Sequence, residues 1–383
     1  IELDGVSTSL SFKIKETPIS KLSINANLDV ARTGDVVKFS TTAYDKKGSI
    51  VIDAPITYSF SGESFDKSTT AAGSIKDDGR FVAETAGKYL ITVTAGEKSI
   101  SKPLVVYDRG IKREVVTVGS GTVEDKHTSD FWVFEGQDGN DYAVSGTWGA
   151  DGTTYFWDVT DPSNLKKIDS VQVDARTVND VKVSADGKIS IISREGASNR
   201  RNGIVILDTT EPYNVKIISE YTTNLTGGVH NLFIYEDHVY ALSNGERFYV
   251  INIEDPRSPF EVGMFEIGEK GQAIHDVWIE DGIAYSSNWK HGVYMIDVGN
   301  GVAGGSPSNP VAMANYSYES GAHHATFPFK SKSTDKFYTI LGDEIFPQGI
   351  DVYTTNETAG FLHFVDFTDI NNPVEVARYE LPG

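Results

Sequence analysis

Apolar and polar residues alternate in short runs along the chain, and between about residues 19 and 107 no stretch keeps a helical period. Between about residues 19 and 107 the runs "KLSINANLDV", "DVVKFSTTAYD", "ITYSFSG", "GRFVAETAGKYLITVTAG" and "SKPLVVYD" are separated by Gly, Asp and Lys clusters. Strands at such spacing predict an antiparallel sandwich. From 108 onward the pattern repeats. Five segments close alike: "YFWDVTDPSN", "IVILDTTEPYN", "YVINIEDPRSP", "VYMIDVGN" and "LHFVDFTDINNP". Five openings also match, "SDFWV", "NDVKV", "HNLFI", "HDVWI" and "HHATF", beginning at Ser129, Asn179, His230, His275 and His323, which lie 50, 51, 45 and 48 residues apart. An Asp-Pro turn suits the closing phrase, because proline presets φ and aspartate bonds the backbone ahead. A four-strand unit repeated near every 45 residues predicts blades of a β-propeller. The expected fold is therefore all-β, a sandwich over 1–107 followed by a propeller over 108–383.

Both halves resemble known families. "ARTGDVVKFSTTAYDKKGSIV" with "SIKDDGRFVAETAGKYLITVTAG" resembles bacterial Ig-like modules of secreted and surface proteins, over about 90 residues. The phrases "IVILDTTEP" and "YVINIEDPRSP", with "GGVHN", "HDVWIEDGIAYSSNW" and "GDEIF", are similar to LVIVD repeats, a blade-type repeat of extracellular bacterial and archaeal proteins. That resemblance implies an extracellular, cell-surface or periplasmic location and a propeller architecture. It implies no reaction, since the family is defined by its architecture.

Blade arithmetic carries a further expectation. Five complete blades are visible, the last ending in "VEVARYELPG", yet "REVVTVGS" at 113–120 reads as an extra strand ahead of the first blade. In closed propellers such a strand often completes the final blade. A six-bladed design is therefore expected, with a five-bladed ring and a stray linker strand as the alternative. The first 18 residues also alternate like a strand and lack a signal-peptide pattern.

Composition narrows the partners. The chain has 54 acidic and 34 basic residues, a net charge of −20, which disfavours nucleic acid and anionic membranes. No apolar run is long enough to span a bilayer. Cysteine is absent, which excludes disulfides and thiolate chemistry.

The repeat itself gathers the candidate chemistry. Each inner strand opens on a polar pair, so superposed blades bring Asp130, Asn179, Asp180, Asn231, Asp276 and His324 to line the channel. His230, His275 and His323 are the expected metal-facing imidazoles, with Glu344, or Asp343, as the carboxylate partner. The sequence identifies no cofactor; a divalent metal ion is the one for which this set offers ligand types. The same residues also serve as polar caps bonded to the neighbouring blade, and both readings stand. His127 and His291 are weaker candidates. Arg194, Arg200 and Arg201 crowd one loop, which reads either as a grip for an acidic ligand or as a solvated hairpin tip. Trp148 and Trp289 follow similar strands near the channel mouth, and Asn224, Asn315 and Asn356 head glycosylation triplets. The glycines of 298–310 precede no helix and so form no phosphate loop. Neither an HExxH helix nor a GxSxG elbow occurs. The expected function is a surface binding or scaffolding protein that meets a protein or glycan. A metal-dependent enzyme and a subunit of a surface assembly are the alternatives.

Overall fold

In the computed structural model of the chain, residues 18–110, 115–123, 126–269, 272–318, 322–332, 334–345 and 360–379 are described. The opening strand expected over 1–18 lies outside them, apart from the backbone pairing of Glu2–Leu3 with Val6–Ser7. Every regular element among the described residues is a strand, and no helix is long and apolar enough to cross a membrane.

Two compact units emerge, one built from the first 112 residues with Val376–Arg378, the other from Arg113–Glu375 with the last five residues. In the first, two four-stranded sheets pack face to face. One contains Val30–Arg32, Lys98–Tyr107, Gly87–Ala95 and Ile56–Ser64; the other contains Lys21–Ala26, Val37–Tyr44, Arg80–Ala83 and Gly73–Ile75. The alternation of the sequence is the alternation of the core: in Gly87–Ala95 every second side chain is buried, so Tyr89 and Ile91 meet Phe39 and Phe81 of the opposite sheet.

The second unit consists, among the described residues, of five four-stranded antiparallel sheets, each a meander in chain order. Their innermost strands are His127–Glu135, Val181–Val183, Leu232–Tyr235, Asp276–Glu280 and His323–Lys330. Side chains from all five, or from the residues that open them, line one cavity, so the sheets radiate from a shared axis. Hydrophobic layers join them in sequence. Phe134, Val144 and Phe156 of the first sheet meet Ile192 and Val205 of the second; Ile191 and Ile206 of the second meet Val239 and Ile251 of the third. The third and fourth join through Tyr240, Phe248 and Ile296, the fourth and fifth through Met295, Leu341 and Val365. This arrangement is a β-propeller.

No such layer joins the fifth sheet to the first among the described residues. Phe131 is 65% exposed on the face of its strand opposite Trp132, and Phe327 is 47% exposed on the last innermost strand. The strand expected at 113–120 does not form over its described part, 115–120. Val115 is 94% exposed, and without a partner strand its alternating pattern has nothing to pair with. The segment instead crosses the first sheet: a Cβ on Gly121 would stand 2.8 Å from the Trp157 ring, so only glycine passes there.

Candidate ligand and metal site

The cavity at the axis measures about 780 Å³. Its floor is aromatic. Two residues after each of the first four polar pairs come Trp132, Lys182, Phe233 and Trp278, and three after the fifth comes Phe327; the four rings touch in series, Trp132–Phe233 at 5.9 Å, Phe233–Trp278 at 5.0 Å and Trp278–Phe327 at 4.9 Å between centroids. Trp132 also meets Trp278 at 5.9 Å, so the aromatic layer gathers around the axis.

Above that floor the polar pairs bond from sheet to sheet. Asn179 donates its amide to the His230 carbonyl (2.8 Å), and the Asp180 carboxylate accepts the Leu232 N–H (2.6 Å). The Lys182 ammonium, buried, bonds both Asp130 (2.5 Å) and Asp180. Burial pushes the Asp180 carboxyl well above the usual carboxylate range, against the pull of Lys182. At Asp130 burial is outweighed by bonding to Asp180 and by Lys182, and its carboxyl falls, which makes it the ionised partner of the lysine. Burial also raises Asp276. The Oδ1 of Asn231 is buried without a partner.

The histidines meet in a different register from the one the repeat openings predict. His230, His275 and His324 stand side by side, with ring centroids 4.9 Å apart for the first pair and 4.1 Å for the second. His323 is not among them. A β-bulge interrupts the pairing between His323 and Ala325, and the inserted residue shifts the alternation by one. His323 is buried, its Nδ1–H donating to the Trp289 carbonyl and its Nε2 accepting the Tyr318 N–H (3.4 Å), so both ring nitrogens are occupied. Its role is to hold Trp289, which sits at φ 44° and presents its ring edge to His275 at 4.8 Å. The signal for the correct register was the aromatic floor residue. His324 precedes Phe327 by three positions, as His230 precedes Phe233 and His275 precedes Trp278.

Glu344 follows the second strand of the fifth sheet and enters the cavity. Its Oε2 lies 3.1 Å from Nε2 of His324 and 3.8 Å from Nε2 of His275. These three residues bring one ligand atom each within 4.8 Å of one another. Burial, followed by the neighbouring His324 and His230, lowers His275 to about 3, so it is a neutral imidazole at physiological pH; its Nδ1 is buried without a hydrogen-bond partner. His230 is tethered instead: its Nδ1 donates to Glu195 (3.0 Å), and that bond raises it against burial. Asp343 does not share the cavity. It belongs to a buried trio that the sequence did not reveal, in which His363 bonds Glu375 (2.6 Å) and Asp343 (3.2 Å) while stacking on Tyr318 at 3.8 Å.

Other candidates take structural roles. Arg194 is buried, bonded to Glu220 (2.8 Å) and to the Arg201 carbonyl (2.9 Å). The glycines of 298–310 fold their backbone around Asp297, whose carboxylate accepts N–H groups from Gly299, Gly301, Ala303 and Gly305 at 2.7–3.1 Å. Trp148 lines the cavity and is 51% exposed. The Asn224 and Asn315 amides bond Glu261 and the His291 carbonyl, and Asn356 lies outside the described residues.

Fold and cavity together define a β-propeller with a polar central pocket. No family model matches the chain, and no curated protein matches it. Among solved structures it is similar to a Lactobacillus plantarum protein determined by a structural genomics consortium, at 8% identity over 90% of this chain and 92% of that one, with a TM-score of 0.50. The β-propeller domain of Cps50 (Swd1) from Myceliophteria thermophila aligns over 82% of each chain at 12% identity and a TM-score of 0.44. Likeness at such identity concerns the fold alone.

Proposed function

We propose that this is an extracellular or cell-surface binding protein whose propeller channel takes a small polar ligand of the size of a sugar, with an Ig-like sandwich as spacer or docking unit. The observation that carries the reading is the cavity: 780 Å³ falls in the range of small-ligand sites and is too small and concave for a protein face. An aromatic floor, a half-exposed Trp148 at the wall and an unfilled acceptor on Asn231 are what a sugar ring with its hydroxyls requires. Two features support the Ig-like assignment. The Tyr89 hydroxyl, near the head of its strand, donates to the Thr85 carbonyl four residues upstream (2.7 Å), and the short strand Val30–Arg32 runs parallel to Lys98–Tyr107. The closing phrases of the five sheets support membership among LVIVD-type repeats, and with it the surface location. Six blades remain the design we favour, because the exposed faces of Phe131 and Phe327 are those a further sheet between them would cover.

A glycan array probed with the labelled full chain tests the reading. Binding to one glycan class is expected, weakened at least about tenfold by Trp148→Ala. No glycan binding, or binding indifferent to Trp148→Ala, overturns it. A second reading, a metal-dependent enzyme, is favoured by the cluster of His275, His324 and Glu344, where a bound ion would activate water.

A further inference from the structure

We infer that His275, His324 and Glu344 bind one divalent transition-metal ion of the zinc class in the channel wall. The inference does not depend on what ligand the channel takes.

Spacing comes first. Around a tetrahedral ion with ligand bonds of roughly 2.0–2.1 Å, neighbouring ligand atoms stand about 3.4 Å apart. The two imidazole Nε2 atoms lie 3.1 and 3.8 Å from the same carboxylate oxygen, on either side of that value. The elements that supply them are rigid. His275 and His324 open innermost strands, Trp289 packs edge-on against His275, and the Glu344 N–H is fixed to the Ala322 carbonyl (3.0 Å). The three ligand atoms already lie within 4.8 Å of one another, so closing them on an ion takes side-chain shifts of about an ångström and no rearrangement of strands.

Donor chemistry selects the ion. Two imidazoles and one carboxylate suit zinc, cobalt and their neighbours, whereas calcium and magnesium take oxygen ligands almost exclusively. Charge does not oppose it: Lys182, the one ammonium among the lining residues, is held by Asp130 and Asp180, and among the described residues the only carboxyl oxygen facing the two imidazoles is that of Glu344. A hydrogen bond between His324 and Glu344 explains those two residues without an ion. It leaves unexplained why the Nε2 of His275 also faces that same carboxyl oxygen, at 3.8 Å, beyond hydrogen-bond distance.

Three protein ligands leave a vertex open. His230, anchored by Glu195, stands beside His275 and borders that side of the cluster. A water or a ligand hydroxyl fills the remaining position from the cavity, which gives the channel a Lewis-acidic point against which a polar ligand is oriented.

Calorimetric titration of the chelator-treated, untagged full chain with ZnCl2, with metal content measured by mass spectrometry after gel filtration, tests the site. About one zinc per chain is expected, weakened at least about tenfold by His275→Ala and by Glu344→Gln, and unchanged by His291→Ala. Cobalt in place of zinc is expected to give the intense visible bands of a four-coordinate site, lost in Glu344→Gln. Circular dichroism confirms that each variant is folded. Less than one-fifth of an equivalent in the wild type, or stoichiometric zinc that survives the His275→Ala/Glu344→Gln double variant, overturns the inference. Repeating the glycan array on metal-free protein separates the two readings: glycan binding without zinc leaves the pocket standing when the metal site fails.

Discussion

The imidazole of His275 lies against that of His324, with centroids 4.1 Å apart and planes inclined by 35°, although 49 positions separate the two residues. Consecutive blades bring them together, and the bulge after His323 decides that His324 rather than its neighbour is presented. The two adjacent histidines should therefore behave oppositely when replaced. His323→Ala removes a buried ring and leaves the Tyr318 N–H without its acceptor, at a cost of about 2–4 kcal/mol by urea denaturation. His324→Ala, at a cavity wall, is expected to stay within about 0.5 kcal/mol in metal-free protein. Equal losses at both positions would contradict the register.

Much of this was legible in advance. Strand alternation and the repeated closing phrases specify a propeller because a blade cannot bury its faces alone, so the pattern must recur wherever a blade does. His230, His275, Asp276 and Glu344 were placed in the channel by that logic, and they line it. His323 was misplaced because a bulge adds one residue without changing composition, and only the downstream aromatic records the shift. The trio of Asp343, His363 and Glu375 was invisible: its members come from three strands of one sheet, and no repeat marks which polar residue turns inward. The glycines of 298–310 announced a loop but not its centre, since the group they surround is an aspartate of the preceding strand.

The seam between fifth and first sheets predicts an asymmetry within one strand. Phe134 is buried between the first two sheets, whereas Phe131, three residues earlier and on the other face of the strand, is exposed. Phe134→Ala should cost about 3–5 kcal/mol, and Phe131→Ser no more than about 0.5 kcal/mol, in chemical denaturation of the 383-residue chain. A large loss from Phe131→Ser would mean that something already covers that face.

Lys182 tests the channel's electrostatics. It is the one ammonium among the lining residues and is buried between Asp130 and Asp180. Replacing it by methionine leaves Asp130 ionised without its counter-charge, and a loss of about 3–5 kcal/mol is expected. Adding Asp130→Asn removes the stranded charge, so the double variant should be more stable than Lys182→Met alone. A strictly additive double-mutant cycle would show that the pair is not coupled.

Asp297 supplies the pH dependence. Burial alone would raise its carboxyl, but four backbone N–H groups from the glycine loop overcome that and hold it at about 2. The unfolded chain titrates near the ordinary aspartate value, about 3.9. The folded state therefore binds the proton less readily, and the stabilisation is complete above about pH 5 and fades as pH falls through 4 toward 2. Its full size is about 1–2 kcal/mol once solvent screening at the surface loop is allowed for. Asp297→Asn replaces one acceptor oxygen by an N–H₂ facing backbone donors, so the variant should be less stable than wild type at pH 7. In urea melts run between pH 7 and pH 3, the gap between the two proteins is expected to narrow toward acid. A gap that stays constant or widens would show that the loop does not hold an ionised carboxylate.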